Sequence, residues 1–103
     1  MIRVNYCDEG VRHRLSVEGH AGYDDSGRDI VCAGVSSLSL ALFAYLPEVS
    51  VIKEARYSSG GMYIDCTGGT AARAAFDLAM TGYTNLSIQY PQCVEIYSAS
   101  DGG

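Results

Sequence analysis

From Ile30 to Pro47 the chain runs eighteen residues without a charge, directly after a polar segment that ends at Asp29. No other feature limits the fold as much. The run is about the minimum length for a membrane span. It contains Gly34, Ser36, Ser37 and Ser39, however, and we read it as a buried helix. Val31, Val35, Leu38, Leu42 and Tyr45 fall on one side of that helix, and Leu40, Phe43 and Leu46 on another. A helix that is apolar most of the way round needs cover on more than one side. A small sheet can cover one side; a second helix or a second subunit must cover the rest. Asp29 suits the N-cap, which makes Ile30 the first helical residue and puts Cys32 in the third position. The helix is expected to stop before Pro47.

The remaining elements follow from periodicity. Ile2, Val4 and Tyr6 alternate with Arg3 and Asn5, and Val11, His13, Leu15 and Val17 alternate with Arg12, Arg14, Ser16 and Glu18. These are two half-buried strands joined by a turn at Asp8, Glu9 and Gly10. His13 falls at the start of an apolar face, where a structural role or simple exposure is expected. Val49 to Tyr57 and Met62 to Thr67 form a second strand pair around Ser58-Ser59-Gly60-Gly61. Gly68-Gly69 breaks that pattern, and Thr70 is placed to cap a helix that runs to about Gln89 and ends at Pro91, with Gly82 a weak point along it. Cys93 to Tyr97 is a last strand, and Ser98 to Gly103 is expected to fray. The order is β-β-α-β-β-α-β. The expected fold class is α+β, an α/β sandwich in which a mixed or antiparallel sheet carries two helices packed on one side. The length of 103 residues fits a single domain spanning 1–103.

Hydrophobic residues make up 48% and charged residues 18%, the composition of a folded chain rather than a disordered one. A net charge of −5 with scattered basic residues argues against direct nucleic-acid binding. A basic protein partner is compatible with it. Neither a targeting segment nor a membrane span is expected. Cys7, Cys32, Cys66 and Cys93 form no C-x-x-C pair and have no histidine at zinc-like spacing, so neither a metal nor a cofactor is expected. Reduced thiols in a cytoplasmic protein are the simplest reading.

Chemistry concentrates at His20 and Cys32, twelve residues apart. A histidine that closes a strand, a pliable loop (Gly22, Tyr23, Asp24, Asp25, Ser26, Gly27) and a cysteine that opens a helix can form a nucleophile–base pair. The positive end of the helix favours a thiolate, and the imidazole takes the thiol proton and later returns it to a leaving amine. Asp29 is either the helix cap or a third member that holds the imidazole in one tautomer. Ser36 lies one turn after Cys32, where it either contacts substrate or bonds back to its own helix. N–H groups at the helix start, that of Cys32 included, are candidate oxyanion donors. Glycines at both ends of the loop suggest that it closes on substrate. Asp24, Asp25 and Asp29 are placed to steer a basic substrate.

Gly19-His20-Ala21 followed by Asp29-Ile30-Val31-Cys32-Ala33-Gly34-Val35-Ser36 closely resembles the bacterial ribosomal-processing cysteine protease family, Prp. Tyr90-Pro91 before the last strand supports the likeness, which spans nearly the full chain. The resemblance places the family's histidine and cysteine on His20 and Cys32, and its nearby aspartate and serine on Asp29 and Ser36. It implies a small homodimeric protein with a mobile loop between the catalytic residues. It also implies a substrate: the precursor of ribosomal large-subunit protein twenty-seven, whose N-terminal extension is removed next to aromatic residues. Two other readings stand beside it. One is a non-catalytic ribosome-assembly binding module with Cys32 in its core. The other is a redox-sensing protein in which Cys32 pairs with another cysteine.

Overall fold

The computed structural model describes residues 1–19 and 28–100. The elements are β1 (Ile2–Glu9), β2 (Arg12–Gly19), α1 (Arg28–Val49), β3 (Ser50–Ser58), β4 (Gly61–Gly68), α2 (Thr70–Gln89) and β5 (Val94–Ser100). The five strands form one sheet in the order β3-β4-β2-β1-β5. All neighbours are antiparallel except β1 and β5, so the sheet is mixed. Both helices pack on the same face, and the α+β architecture expected from the sequence is the one observed.

The strand alternation sets this arrangement. Ile2, Val4 and Tyr6 of β1, Leu15 and Val17 of β2, and Met62, Ile64 and Cys66 of β4 all point inward and are buried. They meet Val31, Val35, Leu42 and Leu46 of α1 and Phe76, Ala79 and Tyr83 of α2 in a single core. The opposite face is polar and crossed by ion pairs, among them Arg12–Asp65 and Arg14–Glu9. His13 is fully buried at the far end of β2. Its ring stacks on Phe76, 5.0 Å between centroids, and its Nδ1 lies 2.8 Å from the Tyr6 hydroxyl.

Several boundaries differ from the expectation. α1 begins at Arg28, so Asp29 is inside the first turn and not the N-cap. The helix also continues through Pro47 to Val49. A proline there removes the N–H that would bond the Phe43 carbonyl, but so near the helix end that is one bond of the ladder. The Ser50 hydroxyl then donates to the Leu46 carbonyl at 2.7 Å, where the helix ends. Thr70 does not cap α2: Gly69 occupies the N-cap without a side-chain bond, and Thr70 is the first helical residue. β5 extends to Ser100 because it pairs with β1 as far as Asp8, so Ser98 to Ser100 are strand and not frayed tail.

α1 is less buried than expected. Ile30–Val49 is long and apolar enough to cross a membrane by length and composition. It nevertheless supplies the core with one stripe: Val31, Val35, Ser39, Leu42 and Leu46. Leu40 and Tyr45 on its outer side are about half exposed, at 49% and 50%. The sheet and α2 therefore cover one flank of the helix and leave the other open.

Candidate active site

β2 ends at Gly19 with φ of 104°, a left-handed conformation in which glycine carries no steric penalty. A Cβ at this position would also press on the Met1 carbonyl oxygen. The backbone of Gly19 is tied down as well: its N–H donates to the Gly60 carbonyl at 3.2 Å. The sheet thus delivers the chain to His20 from a fixed point.

Gly19 lines a cleft of about 160 Å³. Cys32, Ser36 and Ser39 of α1 line the same cleft. Helical spacing accounts for this: positions 32, 36 and 39 fall on one face over two turns. The third wall is the β3–β4 hairpin, with Tyr57, Gly60, Gly61 and Met62. Gly61 allows the hairpin to close against β2, because a Cβ there would stand 2.5 Å from the Val17 carbonyl oxygen. Tyr57 is held edge-on against Phe43 of α1, with centroids 5.8 Å apart.

Cys32 is half-buried and its thiol is free. It is the fifth residue of α1, not the third. The α-helical ladder therefore pairs its N–H with the Arg28 carbonyl, and the unpaired N–H groups belong to the residues before it. This corrects the expectation that the Cys32 N–H is open to an oxyanion. Ser36 is exposed on the rim one turn further on. His20, the loop residues Gly22, Tyr23, Asp24, Asp25, Ser26 and Gly27, and the Asp29 side chain lie outside the described residues. His13, the other histidine, is excluded as a partner for Cys32. It sits six residues back along β2, about 20 Å from the cleft end, on the buried face and already bonded to Tyr6.

The sequence reading missed the hairpin wall and Ser39. Ser58-Ser59-Gly60-Gly61 signalled a turn but carried no sign of what the turn would face. Ser39 is buried, and its hydroxyl lies 2.8 Å from that of Tyr83 on α2. Burial pushes the Tyr83 phenol up to about 12, so it stays protonated and able to donate. Only the spacing of seven from Cys32 hinted that Ser39 shares its face.

A second groove lies on the open face of the sheet, where Cys7 is half-buried and the Arg14 guanidinium donates to its sulfur at 3.5 Å. His13 points to the other face of β2, away from this thiol. Among the described residues, no cluster of histidine, cysteine and carboxylate side chains could hold a metal ion.

The family model for cysteine protease Prp matches residues 1–95. The chain belongs to the cysteine protease Prp family. It is accordingly an enzyme that hydrolyses peptide bonds. Solved structures agree on the fold. The protein SMU.848 from Streptococcus mutans is 25% identical, with a TM-score of 0.73 over 98% of this chain and 96% of that one. The essential ribosomal processing protease Prp from S. aureus, in complex with a covalently linked product peptide, is 18% identical, with a TM-score of 0.80 over 95% and 99%. The same S. aureus protease with a substrate peptide gives a TM-score of 0.74 at 16% identity, again over 95% and 99%. No curated protein matches this chain significantly.

Proposed function

We propose that Cys32 is the nucleophile of this Prp-family protease and His20 its general base. The observation that carries this is local: Gly19, the residue before His20, and Cys32 line one cleft. In this reading His20 takes the thiol proton and the Cys32 thiolate attacks the scissile carbonyl. The oxyanion that forms is met by N–H groups of the first turn of α1. The tetrahedral intermediate collapses to a thioester, and His20 returns the proton to the leaving amine. Water, deprotonated by His20, then hydrolyses the thioester and releases the thiol. Asp29, inside the first turn, supports the imidazole, and Ser36 on the rim contacts the substrate. The loop from Gly22 to Gly27 closes over the bound peptide.

The substrate we infer is the precursor of ribosomal large-subunit protein twenty-seven, cut next to aromatic residues to remove its N-terminal extension. The family resemblance of the site motif supports this. So does the negative net charge, which suits a basic ribosomal protein. The reaction then belongs in the cytoplasm, where ribosomes assemble. Two copies of the chain are inferred to associate, because the groove between α1 and α2 is walled by Leu38, Ala41, Leu42, Tyr45 and Leu78 and remains open in one copy.

The test is to mix the purified protein with that precursor and read the products by mass spectrometry, with Cys32→Ala and His20→Ala alongside. One new N-terminus, made only by the wild-type protein, is the expected result. Full processing by Cys32→Ala would sink the assignment. Intact precursor in every mixture, with the precursor folded and soluble, would move the substrate reading elsewhere.

A further inference from the structure

The interior of the Cys32 cleft is more selective than its rim. Five of its lining side chains are buried: Ile2, Val17, Val35, Met62 and Ser39. Four are apolar and one carries a hydroxyl. The volume of about 160 Å³ suits one aromatic ring, since an apolar cavity of about 150 Å³ holds benzene. An apolar pocket of this kind would need no hydroxyl in its wall.

Ser39 is also held in place. It bonds to the Tyr83 hydroxyl at 2.8 Å, and Tyr83 is fully buried. Two close contacts fix the helices around this bond. A Cβ on Gly82 would lie 2.6 Å from a methyl of Leu38, and one on Gly34 would lie 3.0 Å from a methyl of Leu86. α1 and α2 therefore approach closely at Leu38 and Gly82, the residues directly before Ser39 and Tyr83, and again at Gly34 and Leu86 one turn away. One bond between two hydroxyls uses one hydrogen and one lone pair, so the pair retains capacity for a third partner.

From this geometry we propose that Ser39, fixed by Tyr83, is a specificity-determining residue that hydrogen-bonds the far end of the substrate side chain seated beside Cys32. The site then takes a tyrosine side chain as well as a phenylalanine. This rests on the reading that the enzyme cuts next to aromatic residues. A purely apolar pocket discriminates against an added hydroxyl by about a hundredfold. A hydroxyl in the pocket wall removes that penalty, because the phenol is then not buried without a partner.

The experiment compares two peptides that differ only in phenylalanine or tyrosine next to the scissile bond. The kcat/KM for each is measured with wild-type protein, Ser39→Ala and Tyr83→Phe. The wild type is expected to cleave both within about tenfold of each other. Ser39→Ala is expected to lower the tyrosine peptide by about tenfold or more while leaving the phenylalanine peptide nearly unchanged. Tyr83→Phe, which keeps the ring and removes only the hydroxyl, is expected to act in the same direction more weakly. An unchanged tyrosine-to-phenylalanine ratio in both variants would overturn the proposal alone, as would equal losses on both peptides. Cleavage of neither peptide by the wild type would overturn the aromatic reading and this proposal with it.

Discussion

The N–H of Gly19 donates to the carbonyl of Gly60 across 3.2 Å, joining the end of β2 to the tip of the β3–β4 hairpin beside Cys32. The two glycines of that tip differ in what they tolerate. A Cβ on Gly61 would meet backbone atoms of β2, 2.5 Å from the Val17 oxygen and 3.1 Å from the Glu18 Cα, whereas one on Gly60 would meet nothing within 4 Å. Backbone does not move aside as a side chain can.

Gly61→Ala is therefore expected to cost about 1–3 kcal/mol of stability, the usual range for forced overpacking, and to lower peptide cleavage by widening the cleft. Gly60→Ala should leave both within error. Thermal melts and initial rates on the two variants check this. Equal behaviour of the pair would mean that the hairpin does not set the cleft wall.

Much of this architecture was legible in the sequence. Strict alternation in β1, β2 and β4 gave the buried face, and the recurrence of Ala71, Ala74, Ala75, Leu78, Ala79, Gly82, Tyr83, Leu86 and Tyr90 gave α2 with the bounds observed, although its buried stripe is Ala72, Phe76, Ala79 and Tyr83. What escaped depends on neighbours rather than on local pattern. Val51 fits a buried strand residue but is 74% exposed, because β3 is an edge strand and neither helix covers that position. Gly82 looked like a weak point of α2 and is instead the socket for Leu38. At the site, the motif pointed to Cys32 and Ser36. The hairpin wall and Tyr83, the partner of Ser39, are brought in by elements at least twenty residues away, which no local pattern encodes.

His13 should make the fold sensitive to mild acid. Burial holds its pKa below the ordinary histidine value. The groups around it are Asp8 and Tyr6 on β1, Cys66 on β4, and Arg73 and Asp77 on α2. Asp8 draws the proton in, but it is engaged by the Arg73 guanidinium, whose own charge opposes protonation. The Tyr6 phenol is raised by burial and stays protonated, 2.8 Å from Nδ1. Because the unfolded chain binds this proton more readily than the folded one, stability is full above about pH 6.5 and falls as pH drops below it. One proton gives a slope of at most about 1.4 kcal/mol per pH unit. Urea unfolding at pH 7 and pH 5 measures the slope, and His13→Phe should flatten it in that interval even if the variant is less stable throughout. A slope unchanged by the substitution would assign the acid sensitivity to other groups.

The open flank of the helix layer bears on oligomeric state. Leu78 of α2 is 73% exposed and Tyr45 of α1 is 50% exposed, on either side of an apolar groove of about 210 Å³. Exposed apolar surface of this kind is a common mark of a protein–protein interface. A second copy would cover the side of α1 that sheet and α2 leave bare. Sedimentation velocity at micromolar concentration is expected to give twice the monomer mass for the wild-type protein. Leu78→Lys puts a charge into the groove without touching the core, since its side chain already faces solvent. It should shift the protein to the monomer with little change in melting temperature beyond that due to dissociation. A wild-type protein that sediments as a monomer would remove the groove as a self-association surface, and a Leu78→Lys dimer would place the contact on another face.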